Sequence, residues 1–252
     1  MRVAISGALG KMGSACARVF REENCEIAFC VDARAVGDCY PDFSAVPQDR
    51  QADVLVDFSS PSALIPLLAF CRERRMAAVI ATTGFSGTEQ AELQAASGEI
   101  PLFVSRNMAV GVHWLGRVCK LLAGALAGAY DIEIVETHHA AKRDAPSGTA
   151  LYLADIVGEA MGDAAFVYDR RGREGRHKNE VGIHAVRGGD VIGRHEVHFF
   201  GKGESITLSH RAEDRDLFAR GAFAAARFLH GKPQGFYTME DLLTEELQKT
   251  AR

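Results

Sequence analysis

No stretch of this chain approaches the ~18 consecutive apolar residues that a membrane span needs, and none of its six cysteines stands in a CxxC pair or other metal-ligand spacing. Positive charge is not in excess: 29 Lys and Arg face 33 Asp and Glu, a formal net charge of −4. A general nucleic-acid binder would present a basic face that this balance does not promise. There is no internal repeat and no low-complexity linker. The N-terminus runs straight into Met1-Arg2-Val3-Ala4-Ile5, with no room for a signal peptide. The expectation is a cytoplasmic protein without membrane association, whose cysteines are small buried hydrophobes in a reducing compartment. What is present is ordinary: 252 residues, 47% hydrophobic and 25% charged. A chain of that size buries roughly 70–75% of its unfolded surface and needs no staples.

The first third alternates short apolar runs with helical stretches. Runs at 3–5, 26–31, 54–58, 77–81 and 101–104 read as strands, with helices at 14–23 and 64–75. Near-continuous apolar strands separated by helices signal a parallel sheet covered on both faces. Residues 37–49 carry two prolines and read as a loop or weak element. The pattern then changes. A long helix at 110–126, a strand at 131–136 and a helix at 147–160 precede strands within 181–211, broken at Gly188-Gly189 and Gly201-Lys202-Gly203. Such glycine breaks read as antiparallel hairpins. Helices at 218–229 and 239–248 close the chain. The whole suggests two domains, a parallel nucleotide-binding type and a mixed-sheet type inserted before the last helices.

Ser6-Gly7-Ala8-Leu9-Gly10-Lys11-Met12-Gly13 lies between the first strand and the first helix, the context a dinucleotide fingerprint requires. Gly7 would make the tight turn, Gly10 the close approach to a pyrophosphate and Gly13 the helix packing. The helix N-terminus would hold the anion. Leu9 stands where the common form has its second glycine. Asp32 ends the second strand, where an acid bonds the adenosine ribose hydroxyls and repels a 2′-phosphate. Asp32-Ala33 therefore favours NADH, while Lys11 and Arg34 offset the repulsion and keep NADPH open.

The run Glu136-Thr137-His138-His139-Ala140-Ala141-Lys142-Arg143-Asp144-Ala145-Pro146-Ser147-Gly148-Thr149 follows a strand. Ser147 is a good N-cap for the helix that begins there, and Ser147, Gly148 and Thr149 would present N–H groups and two hydroxyls to an anion. His138, His139 and Lys142 put proton-transfer and cationic groups beside that seat. A metal reading lacks a third ligand at a characteristic spacing, and His195 and His198 would point to opposite faces of a strand, so no metal is expected. A structural histidine pair stays open.

With these residues the chain resembles the dihydrodipicolinate (4-hydroxy-tetrahydrodipicolinate) reductase family, over essentially its whole length. The likeness is carried by the glycine turn, Val56-Asp57-Phe58-Ser59, Ala81-Thr82-Thr83-Gly84-Phe85, Asn107-Met108-Ala109-Val110-Gly111 and, above all, His138 to Thr149. The resemblance implies an α/β protein with a Rossmann-like dinucleotide-binding domain (1–108 with 215–252) and an α+β substrate domain (109–214). The latter would carry a mixed, largely antiparallel open sheet that builds a homotetramer. It implies reduction of a cyclic imine-type dicarboxylate by NADH or NADPH. By that likeness His138 matches the general acid, Lys142 the cation that polarises the substrate, and His139, Ser147, Gly148 and Thr149 the carboxylate-binding positions. Gly7, Gly10, Lys11, Met12, Gly13 and Asp32 match the adenosine and pyrophosphate side. Phe58, Ser59, Thr82, Thr83, Gly84, Asn107 and Met108 fall where loops meet the nicotinamide half. Arg106 departs from the family pattern without explanation. The basic stretch Arg170, Arg171, Arg173, Arg176 and Lys178 reads as a solvated loop in preference to an anion-binding one. A dinucleotide sensor without catalysis, and a reductase of another amino-acid-derived imine, are the alternatives.

Overall fold

The computed structural model describes residues 1–173 and 175–250. The chain divides into two compact units, residues 1–110 with 215–252 and residues 111–214.

In the first unit, strands β1 (Arg2–Ser6), β2 (Glu26–Val31), β3 (Cys39–Tyr40), β4 (Val54–Asp57), β5 (Ala77–Ile80) and β6 (Pro101–Val104) alternate with helices α1 (Lys11–Glu22), α2 (Leu64–Arg74) and α3 (Gly87–Ser97). The short C-terminal strand Gly235–Tyr237 adds beside β6, so the sheet runs β3-β2-β1-β4-β5-β6 and then this strand, with every neighbour parallel. The central strands β1, β4 and β5 are buried on both faces, which is why they read as apolar runs with no alternation. Ala4, Leu55, Ala78, Ile80 and Leu102 pack with Leu64, Leu67, Leu68 and Cys71 of α2 and with Leu93 and Ala96 of α3. Against the sheet's other face lie α1 and the helix Asp216–Leu229, which contact each other; Phe20 meets Phe223 edge-on at 5.5 Å. Residues 37–49 prove to hold the two-residue β3 and a 3-10 turn at Phe43–Ala45, capped by Asp42 Oδ1. Helix α3 starts at a capping box in which Ser86 Oγ accepts the Glu89 N–H and Glu89 accepts the Ser86 N–H.

The second unit holds α4 (Val110–Leu126), β7 (Asp131–His138), α5 (Gly148–Met161), β8 (Ala165–Val167), β9 (Glu180–Arg187), β10 (Gly193–Gly201) and β11 (Glu204–Ala212). The chain ends with α6 (Asp216–Leu229), β12 (Gly235–Tyr237) and α7 (Met239–Thr250). The second sheet runs β11-β10-β7-β9-β8, antiparallel from β11 to β7 and parallel from β7 to β8. It is therefore mixed, and its two longest ladders that involve β10 are the antiparallel ones. Ile132, Ile134, Val181, Ile183, Val197 and Phe199 face α4 and α5.

Gly201 to Gly203 makes the expected hairpin, with Gly203 at φ +83°. Gly188-Gly189 does not. β9 and β10 lie on opposite sides of β7, so their connection crosses the end of β7 and is tied to it by Gly188 N–H to His138 O (3.0 Å) and Ala140 N–H to Gly189 O (3.1 Å). The basic stretch is not a solvated loop either. Arg170 and Arg173 bond Glu180, and Arg170 and Arg176 bond Glu133; of its arginines, Arg171 keeps a 91% exposed side chain.

Candidate active site

Two places concentrate chemistry, one in each unit. In the first, the chain leaves β1 at Gly7 with φ +73°, a conformation that suits glycine. A Cβ on Gly7 would fall 2.5 Å from the Phe58 carbonyl oxygen, and one on Gly13 would fall 2.1 Å from the Gly7 oxygen. Both glycines are therefore required by closeness of backbone. Gly10 precedes α1 as its N-cap and brings no side chain to the helix end, which leaves the first-turn N–H groups and the positive dipole end open toward an anion. Around this turn lies a cavity of about 420 Å³, lined by Gly7, Gly10, Asp32, Arg34, Phe43 and Ser59 among others. Its cradle fits a dinucleotide: bare glycines, a helix N-terminus and an acid at the end of the neighbouring strand β2.

Asp32, 7% exposed, accepts the Leu9 N–H (2.9 Å), the Arg34 N–H (2.9 Å) and the Arg34 guanidinium from Nε (3.0 Å) and Nη2 (3.1 Å). The Arg34 bonds, outweighing burial, hold its carboxyl down at about 2. Phe58 and Ser59 line the same cavity, and Ser59 donates through Oγ (2.5 Å) to the buried Asp57. Lys11 is exposed and Met12 half-buried on α1. Thr82 is buried, Thr83 and Gly84 are exposed, and Gly84 has φ +89°. Asn107 Oδ1 accepts the Ala109 N–H (2.8 Å). Met108 is 2% exposed, and its carbonyl sits where a Cβ on Gly221 would fall, 1.6 Å away. Its place is in the packing of α6.

In the second unit the centre is Glu136, which has no exposed surface. Residues 136 and 138 alternate onto the same face of β7. Glu136 Oε2 lies 2.5 Å from His138 Nδ1 and accepts Arg187 Nη1 (2.8 Å). Its Oε1 accepts the Ser147 N–H (3.0 Å) and Arg187 Nη2 (2.7 Å). Burial would raise this carboxyl, yet the bonds from Arg187, His138 and Ser147 outweigh it and hold the pKa below the usual range. His138 is lowered, by burial first and by the Lys142 and Arg187 charges, against an upward pull from Glu136. A Cβ on Gly193 would lie 3.0 Å from His138 Nε2, so the crossing 188–192 ends on a residue that spares room at that nitrogen.

Ser147 caps α5, its Oγ accepting the Ala150 N–H (3.1 Å) and lying 2.9 Å from His195 Nε2. Gly148 is exposed and Thr149 half-buried beside it. Lys142 Nζ pairs with Asp144 (2.8 Å), and the His139 carbonyl accepts the Lys142 N–H (3.1 Å). Thus His138 and Ser147 share one carboxylate, while Lys142 is held by the connecting loop. Sequence reading missed Glu136, Arg187 and His195. Glu136 was legible, two positions before His138 on a strand; Arg187 and His195 come from strands distant in sequence and carry no local signal. His195 is buried and His198 lies on the other face against Thr207. Among the described residues no helix is long and apolar enough to cross a membrane.

Comparison with known proteins gives the family. Residues 1–108 match the family model described as dihydrodipicolinate reductase, N-terminus, and residues 111–243 the model for its C-terminus. A 4-hydroxy-tetrahydrodipicolinate reductase of Caldanaerobacter subterraneus is 43% identical over 247 residues, covering 96% of this chain and 98% of the relative. The reductase of that name from Clostridium tetani is 39% identical over 249 residues, covering 96% and 97%. Among solved structures, a dipicolinate-bound dihydrodipicolinate reductase from Paenisporosarcina sp. TG-14 shares the fold, with TM-score 0.77 at 24% identity, covering 94% of this chain and 97% of that one. With both family models matched in order and relatives this similar along nearly the full length, the chain belongs to the dihydrodipicolinate reductase family.

Proposed function

We propose that the chain reduces 4-hydroxy-tetrahydrodipicolinate to tetrahydrodipicolinate with NADH or NADPH, His138 giving the proton. In net terms one hydride and one proton enter and one water leaves. A nicotinamide dinucleotide, when bound, supplies the hydride. The observation that carries the reading is the buried Glu136 carboxylate, bonded to both His138 Nδ1 and the Ser147 N–H. Because the carboxylate takes the Nδ1–H, the proton to be delivered is a second one, taken up at Nε2 to make the imidazolium that Glu136 stabilises. A proton donor so placed is worth about 10²–10⁴ in rate. The same carboxylate fixes the start of α5, where Ser147, Gly148 and Thr149 would seat one substrate carboxylate on the helix N-terminus. His139 and Lys142 would serve the rest of the dianion, Lys142 leaving Asp144 to do so, as a compact charge that stabilises electron density on the ring.

For the cofactor, Asp32 supports NADH: its carboxylate, filled by Leu9 and Arg34, would take ribose hydroxyls as the Arg34 guanidinium gives way. Arg34, whose side chain is 66% exposed, is free at its outer edge to meet a 2′-phosphate, so both dinucleotides are used, NADH preferentially. Six free cysteines support a reducing, cytoplasmic setting. The family resemblance supports a homotetramer. A sensor without catalysis draws no support from a proton donor bonded to an anion seat.

The test is loss of NADH and NADPH absorbance, side by side, on enzymatically generated substrate. Turnover with both, faster with NADH, is expected; dinucleotide binding without oxidation would overturn the reading. Asp32→Ala should weaken NADH more than NADPH. Equal weakening would remove Asp32 from the choice.

A further inference from the structure

His195 stands on β10 with 4% of its surface exposed, cross-strand from His210 and edge-on to His138 at 5.1 Å between ring centroids. Its Nε2 lies 2.9 Å from Ser147 Oγ, and its Nδ1 is buried without a hydrogen-bond partner among the described residues. Burial, with the charge of His138 beside it, pushes its pKa down to about 4. The ring is therefore neutral at ordinary pH and carries one N–H, on one nitrogen or the other.

The two choices have different consequences. With the hydrogen on Nδ1, a donor is sealed away from any acceptor, and Nε2 takes the Ser147 hydroxyl proton. The serine is then satisfied internally, accepting from Ala150 and donating to His195. With the hydrogen on Nε2, that N–H donates to Ser147 Oγ and the orphan atom is only a lone pair. Buried N–H groups without acceptors are rarer than under-satisfied acceptors, and the Nε2–H form is also the intrinsically preferred tautomer of a neutral histidine side chain. Oγ then accepts twice, from the Ala150 N–H and the His195 Nε2–H, and has its own proton left to give.

We propose that His195 is a positioning residue: its Nε2–H holds Ser147 Oγ as a double acceptor and so commits the serine hydroxyl proton to a substrate carboxylate. This rests on the reading that the start of α5 seats a carboxylate. Ser147 itself is 2% exposed and the adjoining Gly148 is exposed, so a carboxylate would have to approach the hydroxyl from the side of Gly148. The arrangement gives the seat a direction. A ligand that needs a donor finds one, and a ligand that offers a donor meets another donor.

Nitrogen-15 NMR of the imidazoles in the wild-type protein, with and without pyridine-2,6-dicarboxylate, tests the tautomer directly. Nε2–H is expected in both states, and Nδ1–H would overturn the proposal. A second arm separates the two nitrogens by substitution. In His195→Gln the amide nitrogen replaces Nε2, whereas in His195→Asn it replaces Nδ1 and leaves Oγ unsupported. His195→Asn should raise KM and the pyridine-2,6-dicarboxylate Kd roughly tenfold to a hundredfold, the worth of a hydrogen bond to a charged group. His195→Gln should stay close to wild type in both, and kcat should move far less than KM in either. Equal behaviour of the two variants overturns the inference. Ser147→Ala separates it from the reading beneath: undiminished dicarboxylate binding there removes the serine proton and overturns the inference, whereas a wild type that binds no dicarboxylate sinks the carboxylate seat itself. A Ser147→Ala defect with equal Gln and Asn variants sinks only the role of His195.

Discussion

A carboxylate with no exposed surface keeps its charge only where its lone pairs are filled, and Glu136 meets that condition with His138, Ser147 and both arms of Arg187. Glu136→Gln preserves the shape but turns a donor toward donors and leaves the Arg187 charge unmatched. Breaking such a pair costs about 3–5 kcal/mol, and losing the fixed tautomer of His138 should cost much of the ~10²–10⁴ a general acid supplies. The expected result is a lower melting temperature and a strongly reduced kcat with NADH affinity unchanged. An undiminished kcat would remove Glu136 from proton delivery. His195 makes a separate prediction about pH. The unfolded chain binds its proton near the ordinary histidine value of about 6.5, whereas the folded one resists until about 4. Between those values the unfolded state holds more protons, so stability falls as pH falls through the window, by about 3 kcal/mol in all. Urea unfolding at pH 7 and pH 4.5 should show a smaller loss for His195→Gln than for wild type. Equal losses would show that this ring does not carry the penalty.

At the scale of elements, the parallel strands and α4 were legible because apolar runs and helical periodicity are local properties. What failed was pairing. Gly188-Gly189 carries a sound hairpin signal, but glycine spacing says nothing about which strand lies next door, and here β7 stands between β9 and β10. β8 and β12, at three residues each, are too short for periodicity to register. Helix α3 was readable and overlooked, since Ser86 stands just before it and Glu89 three residues on, the spacing of a capping box. The glycine turn shows the converse case, a weak motif given force by geometry. A Cβ on Gly13 would lie 2.1 Å from the Gly7 oxygen and 2.6 Å from Ala8 Cα, all backbone. Gly13→Ala must therefore shift the turn from α1, at an overpacking cost of about 1–3 kcal/mol. NADH affinity should fall at least about tenfold, equivalent to about 1.4 kcal/mol, in isothermal titration. Gly87→Ala, where a Cβ meets nothing within 4 Å, is the control and should bind NADH as wild type does. Intact affinity in Gly13→Ala would show that the turn tolerates displacement and that its glycines are not what seats the dinucleotide.

For the whole molecule, the second sheet uses its period of two to serve two ends. Its covered face holds Glu136, His138, Arg187 and His195 along with the apolar residues under α4 and α5. The opposite face carries Val186, 47% exposed, and Phe200, 46% exposed and stacked on His198. A substitution on that face leaves the covered residues in register, because neighbouring positions on a strand point apart. If the homotetramer forms through this open face, Val186→Lys with Phe200→Lys buries two charges at the contact and should split the assembly. Light scattering should then give four chains per particle for wild type and fewer for the double variant, with circular dichroism and pyridine-2,6-dicarboxylate binding retained. A monomeric wild type would refute the tetramer. A variant that still scatters as four chains would move the contact elsewhere, since two unpaired lysines cannot be accommodated in a dry interface without loss of affinity. Loss of ligand binding together with assembly would carry a different meaning: that the covered face keeps its geometry only while the open face is held flat by another copy.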